Sequence, residues 1–162
     1  MKDIKFLLLI FLFLCSVNYS LSAQDYYSIS AGQFGVNDTE DTAELRFEYL
    51  YSNNFYNNNF DLKPFYGLMM NRKGAKYIYS GLRKDFSLST KWNFTPSFAV
   101  GYYDRGRSKD LGHNLEFRSQ LEFSYENDNG RIGFNINHIS NASIGNKNPG
   151  TESATVSLIR PF

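Results

Sequence analysis

The chain has 162 residues, enough for one domain, with 17 Lys and Arg against 16 Asp and Glu and a formal net charge of +1. A near-neutral balance leaves no electrostatic footprint for nucleic acid. The single cysteine, Cys15, sits close to the start, so neither disulfides nor thiolate chemistry serve the rest of the chain.

Residues 1–23 read as a secretory signal peptide, cut after Ser22 or Ala23. Lys2 and Lys5 give the positive start, Phe6–Cys15 is an unbroken apolar run of ten residues, and small and polar residues follow in SVNYSLSAQ. Ten residues are too few for a spanning helix, which takes about 20. Cys15 is not read as a lipid-attachment site, because bulky Leu14 precedes it. Loss of Lys2, Lys5 and Asp3 takes the formal charge of the exported part, 24–162, to zero. That part is read as one domain. It is rich in aromatics (the chain has 15 Phe, 12 Tyr and one Trp), yet the mean hydropathy is −0.42 and no second apolar run exists. A transmembrane barrel explains both facts, because only alternate positions of its strands need be apolar.

The first predicted strand is 25–34. The acidic loop 37–42 follows; it lacks the fixed glycine of a Ca²⁺ loop and reads as solvated. In 43–52, Ala43, Leu45, Phe47, Tyr49 and Tyr51 share one face against Glu44, Arg46 and Glu48. The Asn-rich piece 52–59 reads as a turn. Strand 60–71 contains Pro64, and Arg72-Lys73-Gly74 turns the chain into strand 75–87. In 91–104, Trp92, Phe94, Phe98, Val100 and Tyr102 share a face. Pro96, which removes a ladder donor, predicts a bulge or an interface there. In 113–126, Leu115, Phe117, Leu121, Phe123 and Tyr125 form an apolar face that only Ser119 interrupts. His113 at its start reads as structural. Asn127-Asp128-Asn129-Gly130 turns into 130–141, and the last strand is 151–162. Arg46, Glu116, Arg118 and Glu122, on polar faces, are expected to pair inside a lumen.

The alternating runs exceed the usual strand of about five or six residues and suit a tilted membrane strand of about 9–11. The fold class predicted is all-β, an eight-stranded antiparallel transmembrane β-barrel of the bacterial outer membrane. A soluble sandwich, which also has one apolar face, is the alternative.

Chemistry gathers in NHISNASIGNKNPGTE, Asn137 to Glu152. His138 and Ser140 continue the apolar parity of Ile132, Phe134 and Ile136. Glu152 shares the parity of Val156 and Leu158. A register that sets Glu152 opposite His138 also sets Val156 opposite Phe134 and Leu158 opposite Ile132, which keeps apolar with apolar. Opposed side chains have Cβ atoms about 4.5–5.5 Å apart, and Ser140 lies about 7 Å further along the same face. Orienter, base and nucleophile then stand in line, facing lipid. Ionisable groups on a lipid face are costly, about 2–4 kcal/mol for a cation at mid-membrane and less near the interface. A lipid substrate is a reason to bear that cost. The bland reading is three unrelated polar residues beside a loop.

On His138-Ile139-Ser140-Asn141-Ala142, with Asn148, Gly150 and Glu152 at matching spacing, the chain resembles the PagL-type lipid A 3-O-deacylases. The likeness covers the exported chain in architecture and length, and the specific motif in its last segment. Terminal Phe162 resembles the assembly signal of outer-membrane proteins. The resemblance implies a barrel whose outer surface hydrolyses the 3-position ester of lipid A, the anchor of lipopolysaccharide, without a cofactor or metal. Ser140 is then the nucleophile, His138 the base and Glu152 the orienter, with Asn141 and Asn148 supporting the oxyanion. Ser143 stands where the family often has glycine. Lipid A phosphates would meet the basic loops at Arg72, Lys73, Arg105 and Arg107. The expected partners are lipopolysaccharide and outer-membrane lipids, with a homodimer left open. An outer-membrane phospholipase or general lipid esterase, or a non-catalytic barrel, are the rival functions.

Overall fold

The structure is a computed structural model and describes residues 24–36, 38–55 and 60–162. The expected signal peptide, Asn37 and residues 56–59 of the Asn-rich piece lie outside the described residues. The strands are β1 (Tyr26–Phe34), β2 (Thr42–Leu50), β3 (Lys63–Asn71), β4 (Lys76–Arg83), β5 (Phe86–Ser87), β6 (Trp92–Asp104), β7 (Leu115–Asn127), β8 (Gly130–Ser140) and β9 (Thr151–Pro161). All pairings are antiparallel. β1 pairs with β9 and β4 with β6, which closes the sheet into a barrel without a free edge.

The expected single strand 75–87 is interrupted, and Pro96 supplies the reason. Arg83 faces Ser97 and Phe86 faces Phe94, so β4 and β5 keep one register against β6. They are one wall of an eight-stranded barrel. Between them the Lys84 amide donates to the Pro96 carbonyl at 3.1 Å. Proline has no N–H to return the second bond of that pair. Pro96 therefore sits at a gap in the ladder; of the two expected settings, a bulge or an interface, the bulge is not formed. On its other side it faces Leu121 in an unbroken register.

Polarity is inverted relative to a soluble sandwich. Arg46 and Arg118 are each 1 % exposed, whereas Phe134 is 51 % and Ile78 57 % exposed. Only a lipid solvent makes that arrangement stable. Inside, Arg46 pairs with Glu44 at 2.6 Å and Arg118 with Glu48 at 2.9 Å, while the Tyr79 hydroxyl donates to Glu48. The expected pairing among Arg46, Glu116, Arg118 and Glu122 is thus corrected. The partners of the arginines are Glu44 and Glu48 on β2. Glu122 accepts from the Ser157 hydroxyl, and among the described residues neither carboxylate oxygen of buried Glu116 has a hydrogen-bond partner.

Gln24 and Phe162, the first and last described residues, lie at one end, with aromatic contacts among Tyr49, Tyr66 and Phe162 and between Trp92 and Tyr125. This is the girdle of one membrane interface. At the other end stand the β1–β2, β3–β4, β6–β7 and β8–β9 connections. There Phe34 stacks on Tyr103 with centroids 6.4 Å apart, and Leu111 and Ile139 are buried beside the mouth of the lumen. The stretch singled out in the sequence spans the end of β8, the β8–β9 loop and the start of β9.

Candidate active site

His138 of β8 and Glu152 of β9 are directly opposed, in the same register as Phe134 with Val156 and Ile132 with Leu158. The register expected from apolar matching is the one observed. Alternation puts both on the outer wall, where their side chains are 46 % and 62 % exposed. His138 Nδ1 lies 2.9 Å from Glu152 Oε1. A carboxylate only accepts, so this contact holds the proton on Nδ1 and leaves the Nε2 lone pair free. The Glu152 backbone is itself held, because its carbonyl accepts from the amides of Gly35 and Val36.

Ser140 ends β8 on the same outward face as His138 and is half-buried, opposite Phe117. Among the described residues its hydroxyl makes no hydrogen bond to the imidazole. His138 and Glu152 are in contact, and Ser140 lies two residues along the same outward face. Gly150 completes the cradle of the ring. Its φ is +58°, and a Cβ there would lie 2.6 Å from His138 Cε1 and 3.2 Å from Nε2. Only glycine lets the loop backbone lie flat against this imidazole. The sequence marks the residue, but not what it touches.

The β8–β9 loop is tied down by Asn141, which is fully buried. Its Nδ2 donates to the carbonyls of Leu111 at 2.7 Å and Lys147 at 2.8 Å, and its backbone amide donates to Asn148 Oδ1 at 3.0 Å. Both carboxamide hydrogens of Asn141 are thus committed to joining two loops. Asn148 keeps its Nδ2 exposed, with a 3.5 Å contact to Ser143 Oγ. Ala142 and Ser143 have φ of +51° and +64°. Ser143 thus holds the left-handed conformation that glycine adopts most easily.

Two ion pairs fasten the neighbouring loops. Lys147 meets Asp110 at 2.9 Å, and Lys109 pairs with Asp38 across the mouth of the barrel. The hydrogen bond from Lys147 holds the Asp110 carboxyl below its ordinary value. The bond from Lys109 does the same for Asp38.

A model of the family described as lipid A 3-O-deacylase (PagL) matches residues 25–159. The chain belongs to this family. No curated protein matches it. Among solved structures, the crystal structure of the outer membrane enzyme PagL superposes with a TM-score of 0.65 at 18 % identity, over 85 % of this chain and 99 % of that one. Neisserial surface protein A superposes with a TM-score of 0.60 at 12 % identity, over 86 % and 98 %. A designed transmembrane β-barrel gives 0.59 at 10 % identity, over 90 % and 100 %. At such identities the superpositions speak for the fold, an outer-membrane barrel, and the family match carries the activity class, a hydrolase that deacylates lipid A.

For this PagL-family barrel, the four basic residues expected to meet phosphates are not gathered at the imidazole. Arg72 and Lys73 lie in the β3–β4 turn, four strands from β8 by way of β9, β1 and β2. The Arg107 amide donates to the Lys73 carbonyl, which joins that loop to the same distant turn. Arg105 is matched by Asp110 at 3.2 Å. His113, expected to be structural, accepts from the Leu115 amide through Nδ1 at 2.9 Å and caps the start of β7.

Proposed function

We propose that this PagL-family hydrolase removes the 3-O-linked acyl chain of lipid A through Ser140, His138 and Glu152. The observation that carries the reading is the 2.9 Å His138–Glu152 contact on the lipid-facing wall beside an outward serine. Two ionisable side chains have no structural task there, since apolar residues would cover that surface at lower cost.

Lipid A in the outer leaflet presents its ester to the barrel wall. Ser140 Oγ attacks the carbonyl carbon while Nε2 of His138 takes the hydroxyl proton, and Glu152 stabilises the imidazolium. Asn148, whose Nδ2 is held only by a 3.5 Å contact to Ser143 Oγ, is the side-chain donor for the oxyanion in this reading. Collapse breaks the bond to the sugar oxygen, which takes the proton back from Nε2. Water, deprotonated by the same nitrogen, then opens the acyl-enzyme and releases the fatty acid. No step needs a metal or a cofactor.

The test is mass spectrometry of lipid A from cells carrying wild type or Ser140→Ala. Wild type is expected to remove one acyl chain and the variant none, at equal amounts of folded barrel in the outer membrane. Unchanged lipid A with wild type, or deacylation by Ser140→Ala, overturns the reading. Release of fatty acid from phospholipid in place of lipid A points to the general esterase instead.

A further inference from the structure

The wall formed by β4 and β6 carries another groove. On β4 the outward parity runs Ile78, Ser80, Leu82 and reaches Lys84 just past the strand end. Leu82 faces Phe98 of β6, and Ser80 faces Val100. With Pro96 and, from the loop before β3, Leu62, these side chains line an apolar groove that ends at Lys84. On its other side Ser80 faces Tyr66, a member of the aromatic girdle. The groove therefore opens in the leaflet opposite to the one that His138 meets.

Two polar groups at the foot of this groove lack the partners their chemistry asks for. The Lys84 amide donates to the Pro96 carbonyl, but Pro96 has no N–H to give back. Among the described residues the Lys84 carbonyl accepts no hydrogen bond. Backbone polar groups left unpaired at membrane depth are costly. The Lys84 ammonium has no ion pair among the described residues and lies 5.0 Å from the centroid of the Phe86 ring. Lys63 and Arg83 nearby, by contrast, are both held by Asp85.

We infer that this groove holds a glycerophospholipid of the inner leaflet with an ethanolamine head group. An acyl chain covers Leu82, Phe98 and Val100. The phosphate meets Lys84 Nζ, and the ammonium donates to the Lys84 carbonyl that proline leaves bare. Both polar groups belong to one residue and call for an anion and a donor together, which a zwitterionic head group supplies a few bonds apart. A choline head group has the phosphate but no N–H, so it satisfies only one of them. Binding here is separate from the hydrolysis proposed above.

The experiment is native mass spectrometry of the folded barrel in detergent micelles doped with phosphatidylethanolamine or phosphatidylcholine. Both probes are dialkyl ethers with the same chains, which no esterase cleaves. Wild type should retain the ethanolamine lipid roughly three- to tenfold more than the choline lipid, the worth of one hydrogen bond. Pro96→Ala returns an N–H to the Lys84 carbonyl and should abolish that preference. Lys84→Gln should lower retention of both lipids. Lys91→Gln, which removes another lysine lying over an aromatic ring, should change neither. Unheated gel mobility selects the folded form of each variant. Equal retention of the two lipids by wild type, or a preference that survives Pro96→Ala, overturns the assignment. So does an equal loss in Lys84→Gln and Lys91→Gln, which means an annulus of ordinary lipid, and so does the absence of any bound lipid.

Discussion

At the scale of single residues, the site depends on what holds one imidazole in place. Glu152 sets the tautomer, and Gly150 sets the ring position from the loop side. Two substitutions separate these roles. Glu152→Gln keeps the shape but lets the ring take the wrong tautomer, and the deacylation rate should fall by about 10²–10⁴-fold, the usual weight of acid–base assistance. Gly150→Ala pushes a methyl into the ring edge and strains a φ of +58°. Displacing a catalytic group by about 1 Å can cost about 10²-fold, so a drop of about 10–100-fold is expected from this single methyl. Both variants should run as folded barrels on unheated gels. Full activity in Gly150→Ala would mean that the loop yields and the ring does not depend on it.

At the scale of elements, the strands and their outward faces are legible in the sequence because a barrel wall has a period of two, and lipid and lumen impose opposite chemistry on it. The β8–β9 register is legible for the same reason: a slip by one residue would put Phe134 and Val156 into the lumen. The interruption at Pro96 is half legible. The missing donor is visible, but whether the chain answers with a bulge or a gap depends on which neighbour that donor faces. The Asn141 role is not legible, because its partners Leu111 and Lys147 come from two different loops, and no local pattern announces a contact across 30 residues. The loop ties yield a prediction. Asp38 and Asp110 have depressed pKa values, from the hydrogen bonds of Lys109 and Lys147. Such a group stabilises above its unfolded pKa, and the effect fades as pH falls through the lower folded value. Hydrogen-exchange protection of the β6–β7 and β8–β9 loops should therefore stay constant from neutral pH down to about 4 and decline only below that. Asp110→Asn should weaken protection at neutral pH already. A decline that begins near pH 6 would show that some other group governs the loops.

At the scale of the whole molecule, a barrel whose proposed catalytic groups face lipid has to be rigid from within, and the lumen of this one is filled with charge. Arg118 is 1 % exposed, is held by Glu48 at 2.9 Å, donates to the Tyr79 hydroxyl at 3.1 Å and lies 4.2 Å from the centroid of the Tyr79 ring. This network joins β2, β4 and β7 across the interior, and β7 is the strand that carries Ser119 beside the imidazole. Taking two charges out of water is costly, so the pair as a whole need not stabilise. Removing one partner should, however, destabilise strongly, by about 3–5 kcal/mol, because the other is left buried and uncompensated. Glu48→Leu is therefore expected to lower the unfolding free energy in detergent by about that amount. The double variant Glu48→Leu, Arg118→Leu should recover most of the loss, since two apolar side chains of similar volume replace the pair. Guanidinium unfolding followed by tryptophan fluorescence measures all three, with Trp92 as the single reporter. If the double variant is no more stable than Glu48→Leu alone, the penalty lies in the lost contact to Tyr79 and its neighbours, and not in an unpaired charge. Because His138 and Ser140 sit on β8, next to β7, the same series should also separate scaffold from chemistry: a recovered barrel should recover its deacylation rate with its stability.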